Sequence, residues 1–173
     1  MLEVEVKAKL FSENVREKLL QLGASFVKKE KQIDIYFNHP CREFGSRDEA
    51  LRIRKIKGCI YLTYKGPKID EKTKTREEIE VKVEGDEGEV HLLLKKLGFT
   101  PLQKIVKERE FYNWQNLKVC VDRVEGLGNF LEIEGKGLED REKIFKLLDK
   151  LNIPLSSLTR DSYLEIIMKG EKE

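Results

Sequence analysis

The sequence offers its three cysteines no pairing. Cys41, Cys59 and Cys120 are odd in number and form no CxxC, which argues against a disulfide framework or a zinc site and reads as reduced thiols in a cytoplasmic protein. Histidine is scarcer still: His39 and His91 stand isolated and read as ordinary surface or loop residues, not ligands. No apolar run reaches the 18 residues of a membrane span. Glu3, Glu5 and Lys7 interrupt any apolar stretch near the start, so no signal peptide is expected. No low-complexity linker divides the chain, which is read as one domain, residues 1–173. No Walker-type GxxxxGK[ST] occurs, and LTYKGP (residues 62–67) does not match it. Excess charge is missing too. Lys plus Arg is 34 and Asp plus Glu is 32, a net of +2, which argues against a general binder of nucleic acid or anionic membranes.

Charge itself is plentiful. Charged residues make up 38% of the 173, against about 25% in typical soluble domains. Such a surface, laced with ion pairs, is common in thermophile proteins. The first strand shows how the charge is arranged. In MLEVEVKAKL, Glu3, Glu5, Lys7 and Lys9 alternate with Val4, Val6, Ala8 and Leu10, the period of a β-strand with one apolar and one charged face.

The chain then repeats itself. Shifted along the sequence, EVEVK (residues 3–7) lands on EIEVK (78–82), QLGASF (21–26) on KLGFTP (96–101) and DIYFN (34–38) on REFYN (109–113). Each unit reads strand, helix, long strand. The first helix is expected after an N-cap at Ser12 and before Gly23, with Val15, Leu19 and Leu22 as its apolar stripe. The second is expected over 86–97, with Val90, Leu93, Leu94 and Leu97. Residues 50–66 resemble residues 117–135, and both read as hairpins, turning near Gly58 and near residues 126–129. The halves are therefore about 1–70 and 75–137. A helical tail follows over about 138–170, with one helix at 140–151 and a short closing helix at 162–170. Eight mostly antiparallel strands can close into a barrel. The expected fold is α+β: a closed eight-stranded antiparallel β-barrel with flanking helices and pseudo-duplicated halves.

The period-two rule assigns faces. Glu3, Glu5 and Lys7 share one face. So do Arg52 and Arg54; Thr63 and Lys65; Arg76, Glu78, Glu80 and Lys82; Lys107 and Arg109; Cys120 and Asp122; Glu132 and Glu134. The opposite faces are mostly apolar, as with Leu51 and Ile53, Leu62 and Tyr64, Ile79 and Val81, or Leu131 and Ile133. Two arrangements satisfy this pattern. The apolar faces can line the barrel with charges in water, or the charges can line the lumen with apolar faces beneath the helices. The amphipathic helices need an apolar wall to cover, which favours the second. Seven acids would then sit among eight bases. Such burial is costly unless the charges are paired or solvated, and it suits a highly charged ligand better than it suits stability. Arg and Lys match phosphate oxygens, and carboxylates match Mg²⁺ or Mn²⁺. A metal–polyphosphate complex follows.

EVEVK, then RIR, TYK, REEIE, KER, a lone Asp and EIE, in this order and over nearly the whole chain, resembles the CYTH superfamily, the triphosphate tunnel metalloenzymes. The family includes class IV adenylyl cyclases and thiamine triphosphatases. QIDIYF (32–37), LGNFLEIEG (127–135) and Tyr163 in DSYLEII are most similar to the cyclase branch. The resemblance implies a charged tunnel, with Glu3, Glu5, Glu132 and Glu134 as metal ligands and Lys7, Arg52, Arg54, Lys65, Lys107 and Arg109 as the triphosphate cradle. It implies catalytic roles for Glu3, Glu5, Lys7, Arg54, Lys65 and Asp122. Glu80 and Asp122 would orient bases or help a second metal, while Arg76, Glu78, Lys82 and Tyr163 receive no defined role. The implied partner is a small triphosphate (ATP, thiamine triphosphate or tripolyphosphate), with neither nucleic acid nor membrane, and the chain is a monomer or homodimer. The implied activity is conversion of ATP to cyclic AMP and pyrophosphate. The alternatives are hydrolysis of a triphosphate or non-catalytic polyphosphate binding. One departure bears on cyclisation more than on triphosphate binding: the cyclases carry a His-Phe pair ahead of the first motif Glu, and here only Met1 and Leu2 precede Glu3.

Overall fold

The computed structural model describes residues 2–69 and 76–170, with the side chains of Leu2 and Glu3 outside the description. β1 (Leu2–Lys9) leads through α1 (Val15–Gln21) to the long β2 (Ser25–Asn38) and a hairpin of β3 (Ala50–Ile56) and β4 (Cys59–Lys65). The same order follows again: β5 (Arg76–Val83), α2 (Glu87–Lys96), the long β6 (Thr100–Trp114), and a hairpin of β7 (Leu117–Val124) and β8 (Gly128–Gly135). α3 (Arg141–Lys150), a two-residue β9 (Leu158–Thr159) and α4 (Tyr163–Gly170) complete the chain. The boundary expected between the halves lies outside the described residues.

One antiparallel sheet runs β5-β4-β3-β2-β6-β7-β8-β1-β9. Exchanging β1 with β5, β2 with β6, β3 with β7 and β4 with β8 maps the order of those eight strands onto itself. The expected closed eight-stranded barrel needs correcting on two counts. The sheet has nine strands among the described residues, because β9 pairs with β1 through Lys7 and Ala8. Its two sides also meet only briefly, where β1 touches β5 at Leu2↔Glu77 and Glu3↔Arg76. A continuous ladder along that seam is lacking: Val4 to Lys9 pair with β8, and β9 meets β1 at Lys7 and Ala8.

The apolar strand faces point outward beneath helices, as the helix argument anticipates. Val4 and Val6 of β1, Val119 and Val121 of β7, and Leu131 and Ile133 of β8 pack with Val15 and Leu19 of α1 and with Ile144, Leu147, Leu148 and Leu151 of α3. Val90 and Leu94 of α2 cover Leu51, Ile53 and Ile60. Each fully buried aliphatic side chain contributes about 1.5–3 kcal/mol, so this outer layer carries much of the fold's stability and leaves the inner face to polar groups. α4 packs differently. Its Tyr163 joins Tyr36, Ile105, Val124 and Phe130 across one end of the inner face, with Leu164, Ile166 and Ile167 alongside.

Local details differ from expectation. α1 begins at Val15 with Asn14 at the cap, and Ser12 serves the preceding turn by accepting from the Asn14 N–H at 3.4 Å. α2 is capped by Asp86, whose carboxylate accepts from the Gly88 N–H at 2.7 Å. Leu93 and Leu97 of its expected stripe are exposed, since only Val90 and Leu94 meet the sheet. Ile79 and Val81 of β5 are also half-exposed, at 52% and 50%.

Candidate functional site

The inner face of the sheet encloses a cavity of about 520 Å³ lined by Glu5, Lys7, Arg52, Arg54, Lys65, Arg76, Glu78, Glu80, Lys107, Arg109, Glu132, Glu134 and Tyr163, among others. Strand register sets up the pairing, because residues directly opposite on antiparallel neighbours bring their side chains together. Lys7 faces Glu132 and Glu5 faces Glu134 across β1 and β8. Arg109 faces Asp122 across β6 and β7, and Arg54 faces Asp34 across β3 and β2. Lys65 faces Glu78 and Thr63 faces Glu80 across β4 and β5.

Two bidentate guanidinium–carboxylate pairs anchor the floor. Arg109 donates through Nε and an Nη to Asp122 at 2.7 and 2.5 Å, and also to Glu132. Arg54 donates to both oxygens of Asp34 at 2.7 Å. Burial alone would raise the Asp34 carboxyl, but the guanidiniums of Arg54 and Arg52 outweigh it and hold it far below the usual carboxylate range. Burial likewise pulls at the Lys7 ammonium, yet Glu132 at 3.1 Å and Glu5 at 4.0 Å keep it above its ordinary value.

Lys107 is the exception. It is buried, and its acids stand far off, Asp122 at 3.8 Å and Asp34 at 4.0 Å. Burial and the neighbouring charge of Arg109 push it down to about 7, with Asp122 only partly offsetting them. Tyr163 ties these groups together. Its hydroxyl donates to Asp122 at 2.6 Å, and its ring lies 3.8 Å from the Lys7 ammonium and 4.9 Å from that of Lys107. A cation over an aromatic face is attracted by the ring quadrupole.

Glu5, Glu132 and Glu134 form the group best suited to a metal. All three are buried, and each offers a carboxylate oxygen within 4.8 Å of the others. Glu5 and Glu134 are directly opposite in register, where like charges are destabilising unless compensated. A trio of converging hard oxygen donors fits Mg²⁺ or Mn²⁺. Lys7, Arg109 and Lys118 supply counter-charge around it, at Glu132 and Glu134.

The cavity therefore gathers most of the residues marked by the period-two rule. Asp122 lies beneath its lining, fully buried. Lys82 is a correction: it is exposed near the far end of β5 and outside the cavity lining. The side chain of Glu3 lies outside the described residues. Asp34, Tyr36 and Lys118 escaped sequence reasoning. Asp34 and Tyr36 were within reach of it, because QIDIYF alternates and places Gln32, Asp34 and Tyr36 on one face. Thr63, placed on the inner face by its parity with Lys65, owes its role to packing, where Arg52 donates to its hydroxyl at 3.1 Å and that hydroxyl donates to Glu80 at 2.9 Å.

The CYTH domain family model matches residues 1–163. The chain belongs to the CYTH family. Its members act on triphosphates and are adenylate cyclase-like or triphosphatase enzymes. A Methanocaldococcus jannaschii protein provisionally named an adenylate cyclase is 47% identical over 96% of this chain and 98% of its own length. A solved Pyrococcus horikoshii protein superposes with a TM-score of 0.88 at 42% identity, over 97% of this chain and 99% of that one. The fold is also that of a Hippeastrum protein provisionally named an adenylyl cyclase and described as having a dominant triphosphatase activity, with a TM-score of 0.69 and 19% identity over 98% of this chain and 95% of that one. Among the described residues of this CYTH protein, no helix is long and apolar enough to cross a membrane.

Proposed function

We propose that this CYTH protein is a divalent-metal-dependent enzyme acting on a triphosphate, of the class IV adenylyl cyclase kind: ATP to cyclic AMP and pyrophosphate. The observation that carries the reading is the convergence of three buried carboxylates, Glu5, Glu132 and Glu134, beside a basic cradle in one cavity. In this reading the chain is a single cytoplasmic domain, and Glu3 joins the metal-holding acids. Bound Mg²⁺ or Mn²⁺ would neutralise phosphate charge and acidify the attacking hydroxyl.

Lys7, Arg52, Arg54, Lys65, Lys107 and Arg109 hold the triphosphate, the guanidiniums by paired N–H donors and the ammonium groups as point charges. Asp34 and Asp122 hold Arg54 and Arg109 in place. In the cyclase reaction the ribose 3′-oxygen forms a bond to the α-phosphorus as the bond to pyrophosphate breaks, and the hydroxyl proton leaves to solvent. The cradle stabilises the charge that collects on the departing pyrophosphate. The second reading is triphosphatase, in which water attacks the terminal phosphorus. The Hippeastrum protein supports it, because its described activity shows that this fold accommodates hydrolysis.

Product analysis decides between them. The protein is incubated with ATP, thiamine triphosphate and tripolyphosphate in Mg²⁺ or Mn²⁺. Cyclic AMP with pyrophosphate identifies a cyclase and orthophosphate a triphosphatase. Binding of all three without turnover would replace both readings with a polyphosphate-binding module. Glu5→Gln is expected to abolish metal-dependent turnover while leaving the thermal transition in place; full turnover by that variant would remove Glu5 from the metal site.

A further inference from the structure

The two halves repeat each other in strand order but not in cover. The register that lays EIEVK on EVEVK sets Ile79 and Val81 of β5 on Val4 and Val6 of β1, and Leu93 and Leu97 on Lys18 and Leu22. In the first repeat these positions meet α3. Val4 and Val6 are buried in one cluster with Ile144, Leu147, Leu148 and Leu151, and Leu22 packs against it. Lys18 donates to the Leu151 carbonyl, at the end of α3, at 3.2 Å. By the symmetry of the halves, a counterpart of α3 would follow β4. Among the described residues there is none: β5 is the next element after β4.

The second repeat leaves the matching seat open. Ile79 and Val81 are half-exposed, and Leu93 and Leu97 are 59% and 61% exposed. Their positions place them on one surface. The His91 ring of α2 meets Phe37 of β2 edge-on, with centroids 5.1 Å apart, so that flank of the helix faces β2. Leu93 and Leu97, one turn apart, lie on the opposite flank. That flank faces β4 and β5, because the sheet order is β5-β4-β3-β2. The four side chains expose roughly 400 Å² of apolar surface, the size at which the largest patch of a monomer is often functional. α3 fills its own seat with apolar residues one turn apart along a helix. Leu93 and Leu97 are such a pair, and α2 buries only Val90 and Leu94 beneath itself.

We propose that Ile79, Val81, Leu93 and Leu97 form a homodimer interface, in which α2 of a second copy takes the place that α3 holds in the other half. The face carries both the seat and the leucine pair that fills it, the self-complementarity that a two-fold axis requires. Its charges agree. Glu89 and Lys96 are exposed and share the helix flank of Leu93, four residues before it and three after. Two α2 helices crossing antiparallel near Leu93 bring each Lys96 to the other copy's Glu89. With its polar rim, the face buries on the order of 1,200 Å² when two copies meet, the lower end of specific interfaces. The inner side of β5 carries Arg76, Glu78 and Glu80 to the cavity, and β5 meets β1 only at Leu2↔Glu77 and Glu3↔Arg76. The dimer braces that wall of the site from outside.

The test is sedimentation velocity of the full chain from about 1 to about 100 μM, the span of modest affinities. A species of twice the 20.3 kDa chain mass is expected. Leu93→Lys installs the residue that α1 carries at the matching position, Lys18, so the fold tolerates it. It is expected to weaken association at least about 10-fold, because it sets a charge in an apolar contact, with the circular dichroism spectrum unchanged. Glu89→Lys is expected to weaken association as well, and Glu89→Lys with Lys96→Glu to restore it. A 20.3 kDa species throughout the range overturns the proposal and leaves the face to a different partner. A dimer that Leu93→Lys does not weaken also overturns it, because its interface then lies elsewhere.

Discussion

Asp34 gives the sharpest test of how the charged interior is held. Its carboxylate receives two 2.7 Å bonds from Arg54, lies 4.0 Å from the Lys107 ammonium and is 1% exposed. Asp34→Asn keeps the shape and removes the charge, leaving Arg54, Arg52 and Lys107 crowded without the anion they share. Breaking a buried ion pair in this way costs about 3–5 kcal/mol. At about 2–4 °C per kcal/mol for a chain of this size, the thermal midpoint is expected to fall by roughly 6–20 °C at pH 7.5, as followed by circular dichroism. Tripolyphosphate should recover more of the midpoint in the variant than in the parent, because the ligand replaces the missing negative charge. The pH dependence has a defined sign. The folded Asp34 carboxyl is held below its unfolded value, so its contribution is complete above about pH 4, near the unfolded carboxylate pKa. It is lost as the pH falls through the folded value, and the gap between parent and variant must narrow below about pH 4. A midpoint within about 2 °C of the parent at pH 7.5 would refute the claim that Asp34 carries this cluster.

Two further outcomes follow from the geometry. Lys107 is depressed to about 7 in the fold against about 10.4 in the unfolded chain. The unfolded state therefore binds more protons between those values, and this group makes stability rise with pH from about 7 to 10; Lys107→Met should flatten that rise in denaturant titrations, and an equal slope in both proteins would contradict it. At Gly135 a Cβ would stand 2.5 Å from the Cβ of Asp140, whose carboxylate is pinned by Lys143 at 2.7 Å and the Lys136 N–H at 3.0 Å. Gly135→Ala is expected to cost about 1–3 kcal/mol, as overpacking does, and a midpoint equal to the parent's would show that Asp140 moves freely.

Much of this architecture was legible because strand period is a local property. Val4 and Val6 alternate with Glu5 and Lys7, and both faces went where the helices required. The repeat of EVEVK in EIEVK likewise foretold the order strand, helix, long strand, hairpin in each half. What escaped depended on partners distant in sequence. Lys82 shares the parity of Glu78 and Glu80, but parity does not tell how far along a strand the enclosed space extends. The brevity of the β1–β5 seam and the pairing of β9 with β1 arise between segments far apart in the chain. Ile79 and Val81 show a different limit: an apolar face predicts that something could cover it, not that anything does. Asp34 was missed for a simpler reason, since the alternation in QIDIYF was legible and its charge was left out of the count.

The pairing of the interior also bears on how ligands would enter it. Each of the three described carboxylates proposed for the metal is engaged by a base proposed for the triphosphate: Lys7 at Glu5, Lys7 and Arg109 at Glu132, and Arg109 at Glu134, where Lys118 pairs as well. If Glu5, Glu132 and Glu134 turn to a divalent cation, Lys7 loses its carboxylate partners and Arg109 keeps only Asp122, so both have charge to offer phosphate. If phosphate occupies those bases first, the acids are left close together with less compensation and a greater affinity for a cation. Each event makes the other more favourable, and the coupling must be reciprocal, with factors of about 5–150 being typical. Calorimetry of tripolyphosphate binding, with Mg²⁺ and with a chelator, should therefore show affinity at least about 5-fold higher with the metal, and in Glu132→Gln that ratio should collapse toward one. An affinity independent of Mg²⁺ in the unaltered protein would mean that the bases and acids of this cavity exchange partners with nothing, and that its ion pairs are structural.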